Sequence, residues 1–155
     1  MVAYVEAVET ALGALARKER TVAEVRAWLE AHAYEPEAIE AAIERLRELD
    51  QLDDGRFARR YAEDKRELSG WGPERIADAL RERGVGADAI DAALRAGGDG
   101  GEEAERAARL LVGRGDALGD EVARGRAFAY LRRRGYPAEV AYDAVRRVER
   151  LRDAA

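Results

Sequence analysis

Residues 80–94 read LRERGVGADAIDAAL, and 51 residues later 131–145 read LRRRGYPAEVAYDAV. Leu80 matches Leu131 and Gly84 matches Gly135, and a small-residue helix pattern with an apolar end follows each glycine. The same step taken backwards lands on 29–43, LEAHAYEPEAIEAAI, where Leu29, Tyr34 and Ile43 fall in register with Leu80, Val85 and Leu94. A fixed period in three copies predicts tandem repeats, each one supersecondary unit that stacks on the next. The third copy is the most worn. Ile76 and Ile90 align with Ala127 and Ala141, and Phe128 and Val140 supply apolar bulk one position away.

Each unit reads as three helices. In the first, Val5, Val8, Leu12 and Leu15 predict one apolar stripe on a helix over about 2–18. Thr21 and Glu24 form a capping-box pattern that starts a second helix, with Val22, Val25 and Leu29 inward. Pro36 suits the first turn of a third helix, whose inward face is Ile39, Ile43, Leu46 and Leu49. In the second unit Asp53 or Asp54 caps a helix bearing Phe57, Tyr61 and Leu68, and SGWGP (69–73) breaks it. Pro73 opens the next helix with Ile76 and Leu80 inward, and Gly84 supplies the left-handed residue that stops it. The first unit has Ala33 at that glycine position, which predicts a different turn or mild strain. AGGDGGEE (96–103) reads as a hinge, and VGRGDALGDE (112–121) as a loop interrupting the third unit. No segment alternates with the period of a strand. The expected fold is all-α: three tandem three-helix repeats at 1–52, 53–100 and 101–155, stacked into a curved, elongated solenoid.

Composition narrows the function. Arg and Lys total 27 against 32 Asp and Glu, a net charge of −5 in 155 residues, which disfavours indiscriminate nucleic-acid binding through bulk charge. There is no cysteine, so disulfides and thiolate metal sites are excluded and a reducing cytoplasmic setting is expected. His32 is the only histidine and builds no metal cluster alone; neither metal nor cofactor is expected. Glu6 and Glu9 stand where a secretory signal would be basic, and no apolar run approaches the roughly 20 residues of a membrane helix. A soluble protein without a membrane partner is the expectation.

No catalytic constellation is present either. Arg59 with Glu63 and Arg60 with Asp64 read as i,i+4 pairs on a solvated face. The glycines of 97–101 lack the ending of a phosphate-binding loop, and RGD (114–116) is a match of letters only. An enzyme is not expected. Charge is graded along the chain: net −5 for 1–52, −2 for 53–100 and +2 for 101–155, with arginines clustered at 132–134 and at 146, 147 and 150. Such a cluster is either a solvated helix face or a surface for phosphate or an acidic protein groove. Trp71, between Gly70 and Gly72, either covers a helix joint or anchors an interface. Trp28 reads as core.

These segments resemble the RecX family, bacterial regulators of the recombinase RecA. ALGALARKERTVAEVRAWL (11–29) is similar to the family's opening, and LDDGRFARRYAEDK (52–65) to its most recognisable stretch. GWGPERIADALRERGV (70–85) and YLRRRGYPAEVAYDAV (130–145) resemble its later signatures, in the same order. The resemblance implies tandem three-helix repeats without catalytic residues. It implies binding along the groove of the RecA filament on single-stranded DNA, with suppression of ATP hydrolysis, strand exchange and coprotease action. The setting it implies is homologous recombination, DNA repair and the SOS response. The candidate partner contacts it suggests are Trp71 and Arg75, Arg81 and Arg83 beside Gly84, and Arg132, Arg133 and Arg134 beside Gly135. Relatives are commonly basic and this chain is net acidic. That departure favours protein contact over autonomous DNA binding, which is expected to be weak or absent, and the expected state is a monomer. The alternative is a helix-turn-helix DNA-binding protein acting without RecA.

Overall fold

The computed structural model describes residues 2–115 and 118–155. Among the described residues the regular structure is nine helices and no strand: α1 Val2–Arg17, α2 Val22–Ala31, α3 Pro36–Glu48, α4 Asp54–Ser69, α5 Pro73–Glu82, α6 Ala87–Arg95, α7 Gly100–Arg114, α8 Glu121–Arg133 and α9 Ala138–Asp153. The all-α expectation holds. In every triplet the first and third helices pack as a pair, and the second leans mainly on the third. The buried apolar side chains separate into three clusters, one per triplet. Each cluster is therefore a small core of its own, and the triplets meet through turns and helix ends rather than through shared helix faces.

Local chemistry sets the helix limits. Thr21 accepts the Glu24 N–H while the Glu24 side chain accepts the Thr21 N–H, completing the capping box of α2. Asp53, not Asp54, caps α4 by accepting the Arg56 N–H at 3.0 Å. Gly70 ends α4 in the left-handed region at φ 65°, and Gly84 and Gly135 take φ 85° and 98° after α5 and α8. Ala33 adopts the same region at φ 61°, so the strain expected at that turn is present.

Three sequence expectations are corrected. The buried face of α1 is Ala7, Ala11 and Ala14; Val8, Leu12 and Leu15 flank it half-buried, and Val5 turns outward. The first helices of the other triplets repeat this seam with Ala58 and Ala62, then Ala104, Ala107 and Ala108. Alanine lets the first helix approach the third closely, so the larger side chains spread to the margins. Leu49 and Leu68 are exposed, because Leu49 caps the end of α3 and Leu68 lies on the outer face of α4. The glycine-rich stretch contributes only 96–99 to the linker: Asp99 caps α7, and Gly100 and Gly101 lie in its first turn. Likewise Val112–Arg114 belong to α7, and Asp116 of the RGD tripeptide lies outside the described residues.

Candidate functional site

The triplets are joined twice by the same device. The N-terminus of one unit's second helix receives the turn that follows the next unit's second helix. At the first joint the Thr21 hydroxyl, fully buried, donates to the Arg83 carbonyl at 2.7 Å. The Arg83 guanidinium returns two hydrogen bonds to the Glu24 carboxylate, at 2.9 and 3.0 Å. Asp54 of the second unit accepts the Val22 N–H at 2.9 Å, so the neighbour helps to cap α2. Burial works to raise the Glu24 carboxyl. The hydrogen bonds from Arg83 and from the Thr21 backbone, with the charges of Arg83 and Lys18, outweigh it and hold Glu24 below the usual carboxylate range.

At the second joint the backbone takes over. Gly72 donates its N–H to the Arg134 carbonyl at 2.7 Å, and Glu74 donates to the Gly135 carbonyl at 2.9 Å. These carbonyls cap α5, whose own N-cap residue has no side chain. A Cβ at Gly72 would lie 2.6 Å from the Gly135 carbonyl and the Tyr136 nitrogen. Arg134 donates to the Ser69 carbonyl at 2.9 Å, and Arg132 pairs with Glu74 at 2.8 Å.

The two outer turns of this series differ from the joined ones. Ala33, the counterpart of Gly84 and Gly135, is exposed and packs on neither of the other two described units. The 51-residue step places the third N-cap at Ala123, but α8 begins one turn earlier at Glu121 and is capped by its own Asp120. The third unit thus caps its second helix from its own residues, whereas α2 and α5 donate hydrogen bonds to a neighbouring unit.

The predicted contact residues divide between these joints and the free surface. Arg83 belongs to the first joint and also lies over Phe57, 4.5 Å from the ring centroid. Arg132 and Arg134 belong to the second. Trp71 packs half-buried on the second core, with the cations of Lys65 and Arg75 at 4.6 and 4.2 Å from its ring. That is the covering role, and it engages Arg75 as well. Arg81 is exposed and pairs with Asp78 on its own helix. Arg133 is exposed, without an ion-pair or hydrogen-bond partner among the described residues. Trp28 is half-buried and carries Arg20 at 4.7 Å, while the His32 ring nitrogen lies 2.7 Å from the Trp28 carbonyl at the end of α2.

A more continuous feature escaped the sequence reading. A groove of 620 Å³ along α4 is lined by Arg56, Arg59, Arg60 and Arg66, with Arg106 from α7. Arg66 and Arg106 are shared with a second groove that adds Arg109 and Tyr136, and Arg109 is shared with a third that adds Arg147 and Arg150 from α9. Eight arginines line this track against Glu63, Glu67, Glu102 and Glu105, a local excess of positive charge on an acidic chain. The pairs expected within α4 do not form. Glu19 of the first unit draws Arg60 to 3.4 Å and Arg56 to 4.0 Å instead. Where α4 meets α7, burial and the like charge of Arg106 lower the Arg66 pKa, while burial raises those of Glu103 and Tyr136. The Nε atoms of Arg56 and Arg106 are buried without a hydrogen-bond partner. Arg56 and Arg66 each give a donor to a backbone carbonyl, of Asp50 and Ala93, while the exposed Arg59, Arg60 and Arg109 present planar guanidinium groups that suit carboxylates or phosphates carried on an extended partner. The arithmetic signal was available in the arginine spacings of α4, α7 and α9, but these lie on three separate helices. No group of acidic or histidine side chains able to hold a metal occurs among the described residues, and no helix there is long and apolar enough to cross a membrane.

Comparison with known proteins agrees with this architecture. The family model described as RecX, first three-helix domain, matches residues 7–46, and the one described as RecX, second three-helix domain, matches 53–94. Regulatory protein RecX of Deinococcus radiodurans is 39% identical over 142 residues, covering 91% of this chain and 67% of that protein. The proteins of that name from Mycolicibacterium vanbaalenii and Xanthomonas campestris pv. campestris are 36% and 38% identical, covering 84% and 83% of this chain and 76% and 79% of theirs. The crystal structure of RecX from Lactobacillus salivarius superposes with a TM-score of 0.86 at 20% identity, over 95% of this chain and 97% of that one. A second crystal structure, of regulatory protein RecX, gives 0.78 at 23%, over 93% and 71%. Related in sequence over most of its length and alike in fold, the chain belongs to the RecX family of regulatory proteins.

Proposed function

We propose that the chain is a non-enzymatic modulator, mainly an inhibitor, of RecA, acting in the cytoplasm. It lies along the groove of the RecA filament on single-stranded DNA and suppresses ATP hydrolysis, strand exchange and coprotease activity. The observation that carries this reading is the arginine track, which runs across the second and third units on elements held in fixed relation by the joints. A rigid series of units presents many modest contacts to a long partner without a large ordering cost on binding. The four glutamates in the track and the net charge of −5 favour a partner surface of mixed charge over bare phosphate. Of the earlier candidates, Arg133 is exposed without a partner and Arg81 is exposed in a pair with Asp78, so these two are the more open to contact; Arg83, Arg132 and Arg134 bond across the joints, and Trp71 with Arg75 packs on the second unit.

The test is RecA's ATPase on single-stranded DNA, titrated with this protein, beside direct DNA binding at low and moderate salt. Inhibition at substoichiometric protein with weak DNA binding alone supports the proposal. The variant Arg59→Glu/Arg109→Glu should raise the inhibitory concentration at least about tenfold, a loss of about 1.4 kcal/mol of binding, with its melting temperature kept. The same track favours a second reading, a DNA-binding protein acting without RecA. An unchanged ATPase with tight, steeply salt-dependent DNA binding would establish that reading instead.

A further inference from the structure

The track ends in a groove of a different character. Between α7 and α9 lies a depression of 800 Å³ whose floor is apolar, formed by Ala108, Val112 and Leu151, and whose rim carries Arg109, Arg147 and Arg150 against one carboxylate, Glu105. Val112 and Leu151 are 57% and 63% exposed, large for apolar side chains on one face. Arg147 and Arg150 share a single carboxylate, Asp143, at 3.3 and 4.0 Å, and Arg109 has no ion-pair partner among the described residues. The rim therefore keeps unneutralised charge around an open apolar floor.

The complement of that surface stands at the other end of the chain. On α1, Val2, Val5, Glu6 and Glu9 follow the spacing of one helix face, and all four are exposed. Val2 and Val5 are 71% and 48% exposed, and Glu6 and Glu9 make no ion pair among the described residues. This face belongs to the unit of net charge −5, and the groove to the unit of net charge +2. The two valines match the floor in size and the two carboxylates match the arginine rim in sign.

We infer that the α7–α9 groove of one molecule receives the α1 face of a second copy, giving head-to-tail self-association. The inter-unit joint does not serve this purpose, because Ala33 carries a Cβ where the joined turns carry glycine and approach too closely to admit one. A head-to-tail contact leaves one free groove and one free α1 face on every pair, so association continues past the dimer, into an open series or a closed ring. Four side chains on one helix face make a contact smaller than a standard interface, so association is weak and shows at high concentration. The expected monomer is its dilute state.

The proposal concerns the protein alone, so its test contains neither RecA nor DNA. Sedimentation velocity of the full chain over a rising concentration series should show an apparent mass that increases at low salt and less so at high salt. Glu6→Arg/Glu9→Arg and Arg147→Glu/Arg150→Glu should each remain monomeric at all concentrations, since each sets like charges face to face. Mixed, the two variants should associate again, because the acidic α1 of one meets the basic groove of the other. Circular dichroism of each variant confirms its fold. A wild-type chain that stays monomeric overturns the inference; so does association that survives both variants, or a mixture that fails to associate.

Discussion

At the first joint the Arg83 carbonyl is held by a side chain, the Thr21 hydroxyl, at 2.7 Å; at the second the matching Arg134 carbonyl is held by backbone, the Gly72 N–H, at the same 2.7 Å. One geometry is reached by two chemistries. The first joint depends on a hydroxyl and on the Glu24–Arg83 ion pair, whose side chains are both 29% exposed. The second depends on the absence of a side chain, because the chains approach too closely to admit a Cβ. A repeat protein needs its units in fixed relation, and many local solutions satisfy that need. The two joints should therefore fail under different insults.

The largest effect is expected at the backbone joint. Gly72 has φ −86°, which alanine adopts without strain, so Gly72→Ala isolates the close approach. The new methyl would meet main chain, which has no rotamer to yield. We expect a loss of about 3 kcal/mol or more in denaturant unfolding, in the range of severe overpacking. Amide resonances of the third unit should shift while those of the first stay in place. Gly13→Ala is the control: nothing lies within 4 Å of its Cβ, and it sits inside α1. It should stabilise by about 0.5–1 kcal/mol. Equal effects from the two substitutions would show that Gly72 is not a contact point.

Next comes Thr21→Val, nearly isosteric and fully buried. It removes one hydroxyl from two bonds, leaving the Glu24 N–H and the Arg83 carbonyl without that partner. The expected loss is about 2 kcal/mol, combining a helix cap with an unsatisfied buried carbonyl. Thr21→Ser should recover most of it. A Thr21→Val protein as stable as the wild type would mean that neither the helix cap nor the bond to Arg83 contributes to stability.

How much of this was legible follows from the physics of each feature. The 51-residue step needs no judgement of burial, so it led directly to three helical triplets. The register of α1 was misread because Val and Leu outrank Ala in any hydrophobic pattern, whereas close helix packing selects the small side chain for the seam. Thr21 was readable as a cap from Glu24, three residues away. Its second bond goes to Arg83, 62 residues away, and no local pattern marks it. The run Arg132–Arg134 looked like one basic tip. Successive residues at a helix end point in different directions, so Arg132 and Arg134 bond across the joint, Arg132 while still exposed, and Arg133 faces solvent without a partner among the described residues. The arginine track draws on α4, α7 and α9, and only folding assembles it.

Acid should separate the joints further. Glu24 is held below its ordinary 4.5, so its contribution is present above that value and lost as pH falls through the depressed one. Glu103, beside the second joint, is raised by burial. Its contribution is present below its ordinary value and lost as pH rises through the raised one. Lowering pH therefore weakens the first joint through Glu24, whereas the main bonds of the second are backbone to backbone and carry no titrating group. Following backbone amides from about pH 6 to about pH 3, Val22 and Gly84 should shift before Gly72 and Gly135, and Glu24→Gln should abolish that order. Simultaneous shifts would put the acid response elsewhere.

The smallest effect sharpens the comparison most, because it concerns the turn with no joint at all. Ala33 holds φ 61° at the position filled by Gly84 and Gly135 in the joined turns. In those turns a Cβ on Gly84 would overlap the Ala23 methyl, and one on Gly135 would overlap Arg75. Two requirements for glycine are thus superposed there, left-handed backbone and close approach, and Ala33 faces only the first. A left-handed alanine costs about 1–2 kcal/mol, and the greater freedom of glycine in the unfolded chain returns part of that. Ala33→Gly should therefore stabilise by about 0.5–1 kcal/mol in denaturant unfolding. Gly84→Ala and Gly135→Ala should each cost well over that amount, since they restore the strain and add the overlap. If all three substitutions differ only in sign and not in size, backbone conformation alone selects glycine in these turns and the joints do not constrain it.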